Sequence, residues 1–406
     1  MKILLSAYAC EPDKGSEPGV GWNWALELAR LGLEVWVLTR LNNQPAIEKF
    51  FSKETRPHNL HFIYYDLPKW ASWWKKGQQS VRLYYLLWQW RAYLLAKRIH
   101  EKERFDCVHH VTFVSVRQPS FMGNLGIPFI FGPVGGGERA PLPLRYGYGP
   151  KGHLLDIIRD CSNFFIRFDP LMRMTFHKAR RIYVTSSQTR QVIPKRFWHK
   201  IEVRLAIGIN KQEKSRAITN KVDGQIRILY VGRFLYWKGM HLGIESFARL
   251  LEKMPQASLT MLGKGPEEKK WKDLAEKLGV ADHVHWIPWV DSDNLPELYG
   301  LHNLLLFPSL HDSGGMVVLE AMACGLPVIC FDLGGPGTIV NESCGRVIKA
   351  SCMTREETIT DIVNVMAELS TDRSILDKLS RGALCRAREF HWSQVIQKVC
   401  SEIGIE

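Results

Sequence analysis

Short apolar runs alternate with stretches of helical spacing along this chain, and the whole alternation occurs twice. Lys2–Ala9, Glu34–Thr39, Leu60–Tyr65, Cys107–Val111, Pro128–Phe131 and Arg181–Thr185 each suit a strand buried on both faces. Trp22–Leu31 has helical spacing and is closed by Gly32. Over 209–224 the chain turns polar (Asn210, Lys211, Gln212, Glu213, Lys214, Ser215), which reads as a linker. The pattern then restarts with Arg227–Val231, Ser258–Leu262, Val284–Ile287, Leu304–Phe307 and Pro327–Phe331. Met240, Ile244, Phe247, Ala248, Leu251 and Met254 fall on one helical face. A strand hidden on both faces needs helices above and below its sheet, so the pattern predicts an α/β chain with two doubly wound, Rossmann-like domains in series. Ligands of such sheets bind beyond the carboxyl ends of the strands, which places the expected site in a cleft between the two domains.

The length of 406 residues suits two cores, and 46% apolar with 23% charged residues is globular composition. No run approaches the roughly 18 apolar residues of a membrane-spanning helix. Met1–Cys10 is apolar but runs into Glu11, Pro12, Asp13 and Lys14, so it reads as a first strand rather than a signal peptide. Nine cysteines, an odd number without a C-x-x-C pair, argue against a disulfide framework or a zinc site and for a reducing, cytoplasmic setting. Residues 1–210 hold 31 Lys and Arg against 16 Asp and Glu, whereas 211–406 hold 23 against 25. The first half carries the positive field, which suits anionic lipid, nucleic acid or a phosphorylated substrate.

Two motifs of the second half suit a diphosphate. Gly232-Arg233 ends a strand, and Lys238-Gly239 opens the next helix. Arg offers a planar fork and Lys a point charge where anionic ligands dock. His311-Asp312-Ser313-Gly314-Gly315 follows another strand, and a helix begins near Met316. Paired glycines let backbone amides approach a ligand, at a helix terminus that favours negative charge. The helix is apolar nearly all round except Glu320, which needs partners such as sugar hydroxyls, a salt bridge or backbone amides. Asp291-Ser292-Asp293 resembles a metal-binding D-x-D, but it directly precedes Leu295-Pro296-Glu297-Leu298 and reads as a helix cap.

G-R-F-L-Y-W-K-G followed by P-S-L-H-D-S-G-G-M-V-V-L-E-A-M-A-C-G-L-P-V-I resembles the retaining glycosyltransferases of family four, with the two-Rossmann GT-B fold. The resemblance implies that Arg233 and Lys238 bind the donor diphosphate, that Gly314 and Gly315 place amides near sugar and phosphate, and that Glu320 grips the ribose. The first carboxylate of the family's Glu-seven-Glu pattern is Asp312 here, beside the donor sugar. It implies a nucleotide-sugar substrate, UDP- or GDP-linked, with no cofactor and no metal. Gly263-Lys264-Gly265-Pro266 and Trp286–Trp289 resemble segments flanking the base. The resemblance also implies domains over 1–208 and 225–385, with 386–406 (Phe390-His391-Trp392) packing back on the first.

In the first half, Phe105–Thr112 resembles the family's D-x-x-H-x-H, with Val111 where the second His would stand. Adjacent residues of a strand face opposite ways, so one of His109 and His110 can aim at the reacting centre; His110 is the catalytic candidate with Asp312. The loop with Gly19 and Gly21 is expected to present amides to the donor. Glu11, Glu17 and Glu138 are candidate acceptor-facing carboxylates. Trp70–Arg91 and Phe164–Arg181 mix aromatics with cations, as interfacial membrane segments do. Single-stranded nucleic acid would accept a similar mixture. A lipid-linked or glycan acceptor favours an anionic membrane, with the protein peripheral on its inner face and no nucleic acid bound. The competing readings are a catalytically silent GT-B-like membrane-surface protein and a nucleotide-sugar epimerase or phosphorylase of the same fold.

Overall fold

The computed structural model describes residues 1–68, 81–210, 225–402 and 404. Contacts divide the chain into two units, Met1–Gly137 with Cys161–Gly208 and Trp392–Glu406, and Glu138–Asp160 with Ile209–His391. This differs from the serial division 1–208, 225–385 and 386–406, because Glu138–Asp160 finds its partners in the second unit.

The first unit holds a parallel sheet of β1 (Lys2–Ser6), β2 (Glu34–Arg40), β3 (Leu60–Tyr65), β4 (Cys107–His110), β5 (Phe129–Val134), β6 (Arg181–Val184) and β7 (Ile201–Val203), in the order β3-β2-β1-β4-β5-β6-β7. The second holds β8 (Arg227–Val231), β9 (Ser258–Leu262), β10 (Val284–Ile287), β11 (Leu304–Phe307), β12 (Val328–Phe331) and β13 (Gly345–Ile348), in the order β10-β9-β8-β11-β12-β13. Both are doubly wound α/β sheets, and every strand expected from the alternation is present. The order reverses beside β1 in the first sheet and beside β8 in the second, so each has a switch point between the strands flanking that position.

The first sheet separates two apolar layers. On one side Leu4, Val108, Phe129, Phe131, Met172 and Phe176 share a core with Tyr84, Tyr85 and Trp88. Those three aromatics belong to the expected membrane patch; they are core because helix Val81–Glu103 turns them inward, and of its described side chains Leu83, Leu87, Trp90, Arg91, Lys97, Arg98, Glu101 and Lys102 stay exposed. Trp70 through Arg82 of that patch lie outside the described side chains. On the other side Ile3, Val35, Trp24 and Leu28 meet Trp392, Ile396 and Val399 of helix Trp392–Glu402. No described helix is long and apolar enough to cross a membrane. Of the expected linker, 211–224 lie outside the described residues, and Ile209 bridges to His391.

Candidate functional site

The second sheet brings its chemistry to the switch point between β8 and β11. β8 runs into Gly232, Arg233 and the turn Tyr236–Lys238, and Gly239 then opens helix Met240–Lys253. Gly239 sits at φ +71°, and a Cβ there would lie 2.0 Å from the Pro308 carbonyl oxygen. Only glycine lets this turn close against the loop after β11. That loop carries His311 to Gly315 into helix Met316–Ala323, whose N-terminal flank is Gly315 at φ +87° with no side-chain cap.

Turn and loop converge in an ion pair between the Lys238 ammonium and the Asp312 carboxylate. The other Asp312 oxygen accepts from the Gly314 amide at 3.3 Å. Arg233 is exposed, and its guanidinium has no acceptor among the described residues. One cation is therefore matched by a carboxylate and its neighbour is open to an anion. Glu320 lies half-buried on Met316–Ala323 and accepts from the Tyr299 hydroxyl at 3.3 Å. Burial raises its pKa above the usual carboxylate range, partly opposed by that hydrogen bond.

The loop Gly263–Gly265 closes on the end of β8, where the Phe234 amide donates to the Lys264 carbonyl at 2.9 Å. Beyond β10, Trp289 is 68% exposed, an aromatic face open to a flat partner. Asp291 caps nothing with its side chain, contrary to the expected helix cap; it precedes the turn Ser292–Asn294 and is exposed, as is Asp293.

The sequence reading missed a buried polar cluster behind the same loop. The Ser313 hydroxyl donates to Glu138 Oε2 at 2.6 Å. An Arg159 guanidinium nitrogen lies 2.5 Å from His311 Nδ1, and Asp156 lies 3.3 Å from His311 Nε2. Arg145 approaches Asp156 at 3.7 Å and Asp160 at 2.8 Å. Glu138, a candidate acceptor-facing carboxylate, is fully buried here. Glu17 instead accepts from the Phe113 amide at 2.8 Å.

In the first unit His110 is 1% exposed, and both its ring nitrogens have protein partners. Nδ1 meets Ser120 Oγ at 2.9 Å and Ser6 Oγ at 3.4 Å, while Nε2 meets the Tyr85 hydroxyl at 2.8 Å. Burial lowers its pKa to about 3, helped by His109 alongside. His109 Nε2 donates to the Gly132 carbonyl at 2.7 Å, and burial lowers its pKa to about 4. The expected catalytic His110 thus has no ring nitrogen open to a substrate. Gly19 and Gly21 are not in a loop: helix Ser16–Arg30 starts before them, and helical hydrogen bonds occupy their amides. Their missing side chains serve close approach, since a Cβ on Gly19 would meet Lys14 O at 2.0 Å and one on Gly21 would meet Ala9 O at 2.1 Å.

Residues 211–383 match the model of the family described as glycosyl transferases group 1. That segment of the second half is similar to the family. An uncharacterized glycosyltransferase of Methanocaldococcus jannaschii is 35% identical over 136 residues, 34% of this chain and 32% of that protein. A D-inositol 3-phosphate glycosyltransferase of Acidothermus cellulolyticus is 30% identical over 188 residues, 44% of this chain and 40% of that protein. The match therefore spans less than half the length of these curated relatives. Among solved structures, the lipopolysaccharide outer core galactosyltransferase WaaB aligns with a TM-score of 0.65 at 14% identity, covering 99% of each chain. HepE of Anabaena, solved with UDP and glucose, aligns at 0.58 with 14% identity, again covering 99% of each chain. These likenesses concern the fold, the GT-B pairing of two Rossmann-like domains. Within the second half, the structure brings Arg233, Lys238, Asp312, Gly314 and Gly315 to one switch point, with Glu320 one helical turn further on. A local sequence signal existed for each. Asp156 offered only a carboxylate inside the apolar run Leu154-Leu155-Asp156-Ile157-Ile158, a hint that it is matched inside the fold.

Proposed function

We propose that the protein transfers a sugar from a nucleoside diphosphate sugar, with retention at the anomeric carbon and without a metal, to a lipid-linked saccharide or another glycan. The observation that carries this reading is the convergence of open Arg233, the Lys238–Asp312 pair and the glycine-flanked helix Met316–Ala323 at one switch point. The leaving diphosphate gains negative charge as the glycosidic bond breaks. Arg233, Lys238 and the helix-terminal amides are fixed cationic groups and dipoles where that charge develops, the role a divalent cation plays in other transferases. Entry of the diphosphate draws Lys238 away from Asp312, and the released carboxylate then faces the sugar. Glu320, when ionised, accepts the ribose hydroxyls. The UDP held by HepE supports UDP as the nucleotide, with GDP as its competitor.

Peripheral contact with an anionic membrane is supported by the exposed Phe164, Phe165, Phe168 and Leu171. Arg167, Arg173, Lys178 and Arg180 are exposed among them, and no described residue of 161–180 is an exposed carboxylate. Apolar rings beside uncompensated cations suit a bilayer surface.

The test is calorimetric titration of UDP and GDP in EDTA on wild type and Arg233→Ala, followed by turnover of the matching nucleotide-sugars. Metal-free binding lost in the variant, with turnover that requires a glycan acceptor, supports the proposal. Product without acceptor would mark an epimerase, and product requiring inorganic phosphate a phosphorylase. Nucleotide binding without any turnover would mark a silent binding protein.

A further inference from the structure

Resting on that donor-site reading, we propose that Glu138, Asp156 and Arg159 are positioning residues, which hold the loop His311–Gly315 so that Asp312 faces Lys238 and the donor sugar. All three precede the glycosyl transferase family match at 211–383.

The geometry pins Asp312 from both sides. The residue before it, His311, lies between Arg159 and Asp156, and its ring stacks on Trp237 with centroids 5.2 Å apart and planes at 17°. The residue after it, Ser313, is tied to Glu138. The Asp312 carbonyl accepts from the Gly335 amide at 2.8 Å, which leaves its carboxylate directed to Lys238. The Trp237 carbonyl also accepts from the Leu310 amide at 2.8 Å, so the turn after β8 and the loop after β11 are tied in register.

The chemistry of the cluster fixes a proton as well as a position. Arginine only donates, so Arg159 makes His311 Nδ1 the acceptor and leaves the ring proton on Nε2, facing Asp156. A second ring proton would point at a guanidinium. Burial and Arg159 lower the His311 pKa, and Asp156 and Glu138 oppose them. Tyr236 and Trp237 complete its surroundings. Buried ionic clusters are poor general adhesives, because apolar residues of similar volume often stabilise as well or better. Direction is what this one supplies: Arg159 and Asp156 end on His311, and Glu138 ends on Ser313.

The test uses the full chain and whichever of UDP or GDP binds wild type. The variants are Asp156→Asn, Glu138→Gln, Glu138→Ala, Arg159→Met and Ser313→Ala, each checked for folding by circular dichroism. For Asp156→Asn and Glu138→Ala, kcat for the nucleotide-sugar should fall at least tenfold while nucleotide Kd changes less than threefold, because Arg233 and Lys238 remain. Glu138→Gln keeps an acceptor for Ser313 and should recover much of the loss. In Arg159→Met the acid limb of kcat should move to higher pH, since protonated His311 then meets Asp156 unopposed; Arg159→Met/His311→Asn should lack that limb. If Glu138→Ala or Asp156→Asn does not fold, Ser313→Ala, which removes only a hydroxyl, carries the same kcat-against-Kd comparison. Folded variants with wild-type kcat, or with kcat and affinity falling in step and no shift of the acid limb, would overturn the proposal while leaving the donor site standing. Failure of wild type to bind either nucleotide would overturn both readings.

Discussion

Lys238 and Asp312 are ion-paired across the carboxyl ends of β8 and β11, so this cation already has a partner that an incoming anion must displace. On the proposed donor-site reading, diphosphate and Asp312 compete for one ammonium. Asp312→Asn is expected to tighten nucleoside diphosphate binding severalfold, because Lys238 is released, while lowering sugar turnover at least tenfold. Calorimetry and a turnover assay on one preparation check both signs. Weaker nucleotide binding by Asp312→Asn would show that the carboxylate supports the anion rather than competing with it.

Glu320 sets binding against stability. Its folded pKa is raised by burial, so its stabilising contribution is full below the unfolded carboxyl value of about 4.3 and is lost as pH rises through the folded value. Ionising this buried group costs stability, a cost that ligand hydroxyls would relieve. Glu320→Gln should melt higher than wild type at pH 7, with the gap closing near pH 4, and should bind nucleotide at least tenfold more weakly. An unchanged melting difference between the two pH values would remove the linkage argument.

His109 and His110 predict acid sensitivity of the first unit. Their folded pKa values, about 4 and about 3, lie below the unfolded value of about 6.5. As pH falls below 6.5 the unfolded chain takes up protons that the folded chain refuses, so stability is lost down to about pH 3 to 4, on the order of several kcal/mol for the pair. Urea unfolding at pH 7.5, 6 and 5 should show this slope. His110→Asn should begin less stable, since Tyr85, Ser6 and Ser120 lose their partner, but should fall less steeply.

Truncation after His391 removes helix Trp392–Glu402, and with it the buried Trp392, Ile396 and Val399 and the Arg204–Glu402 pair. Burial of large apolar side chains contributes about 1.5–3 kcal/mol each, so several kcal/mol should be lost from the first unit. Differential scanning calorimetry should show one transition lowered sharply; an unchanged trace would mean the helix adds little to that core.

The strands were legible because a parallel strand buried on both faces is an unbroken apolar run, as Leu304–Phe307 and Val328–Phe331 show. The edge strands Ile201–Val203 and Gly345–Ile348 escaped because half-exposed positions let Glu202 and Arg346 interrupt the run. Helix Ser16–Arg30 began earlier than its pattern suggested. Pro18, Gly19 and Gly21 look like loop residues, yet here the glycines admit the Lys14 and Ala9 backbones, and packing overrides propensity. Arg233, Lys238 and Asp312 could be read because each stands in the segment after a strand end, and Glu320 because it is the only ionisable residue of the apolar helix that follows, all within contiguous motifs. Arg159 and His311 could not, since 152 positions separate them and nothing local to either names the other.

Neither unit is a single stretch of chain. The first takes its last helix from Trp392–Glu406, and the second takes Glu138–Asp160 from the middle of the first. A gene crossover inside 209–224 would yield a front half missing a core helix and a rear half missing the partners of His311 and Ser313. The polar linker looks like the natural seam for exchanging halves with a relative, but the fold is interleaved there. Viable chimeras should instead carry coordinated breakpoints near 137, 160, 208 and 391, so inheritance of a new donor preference would need several exchanges at once.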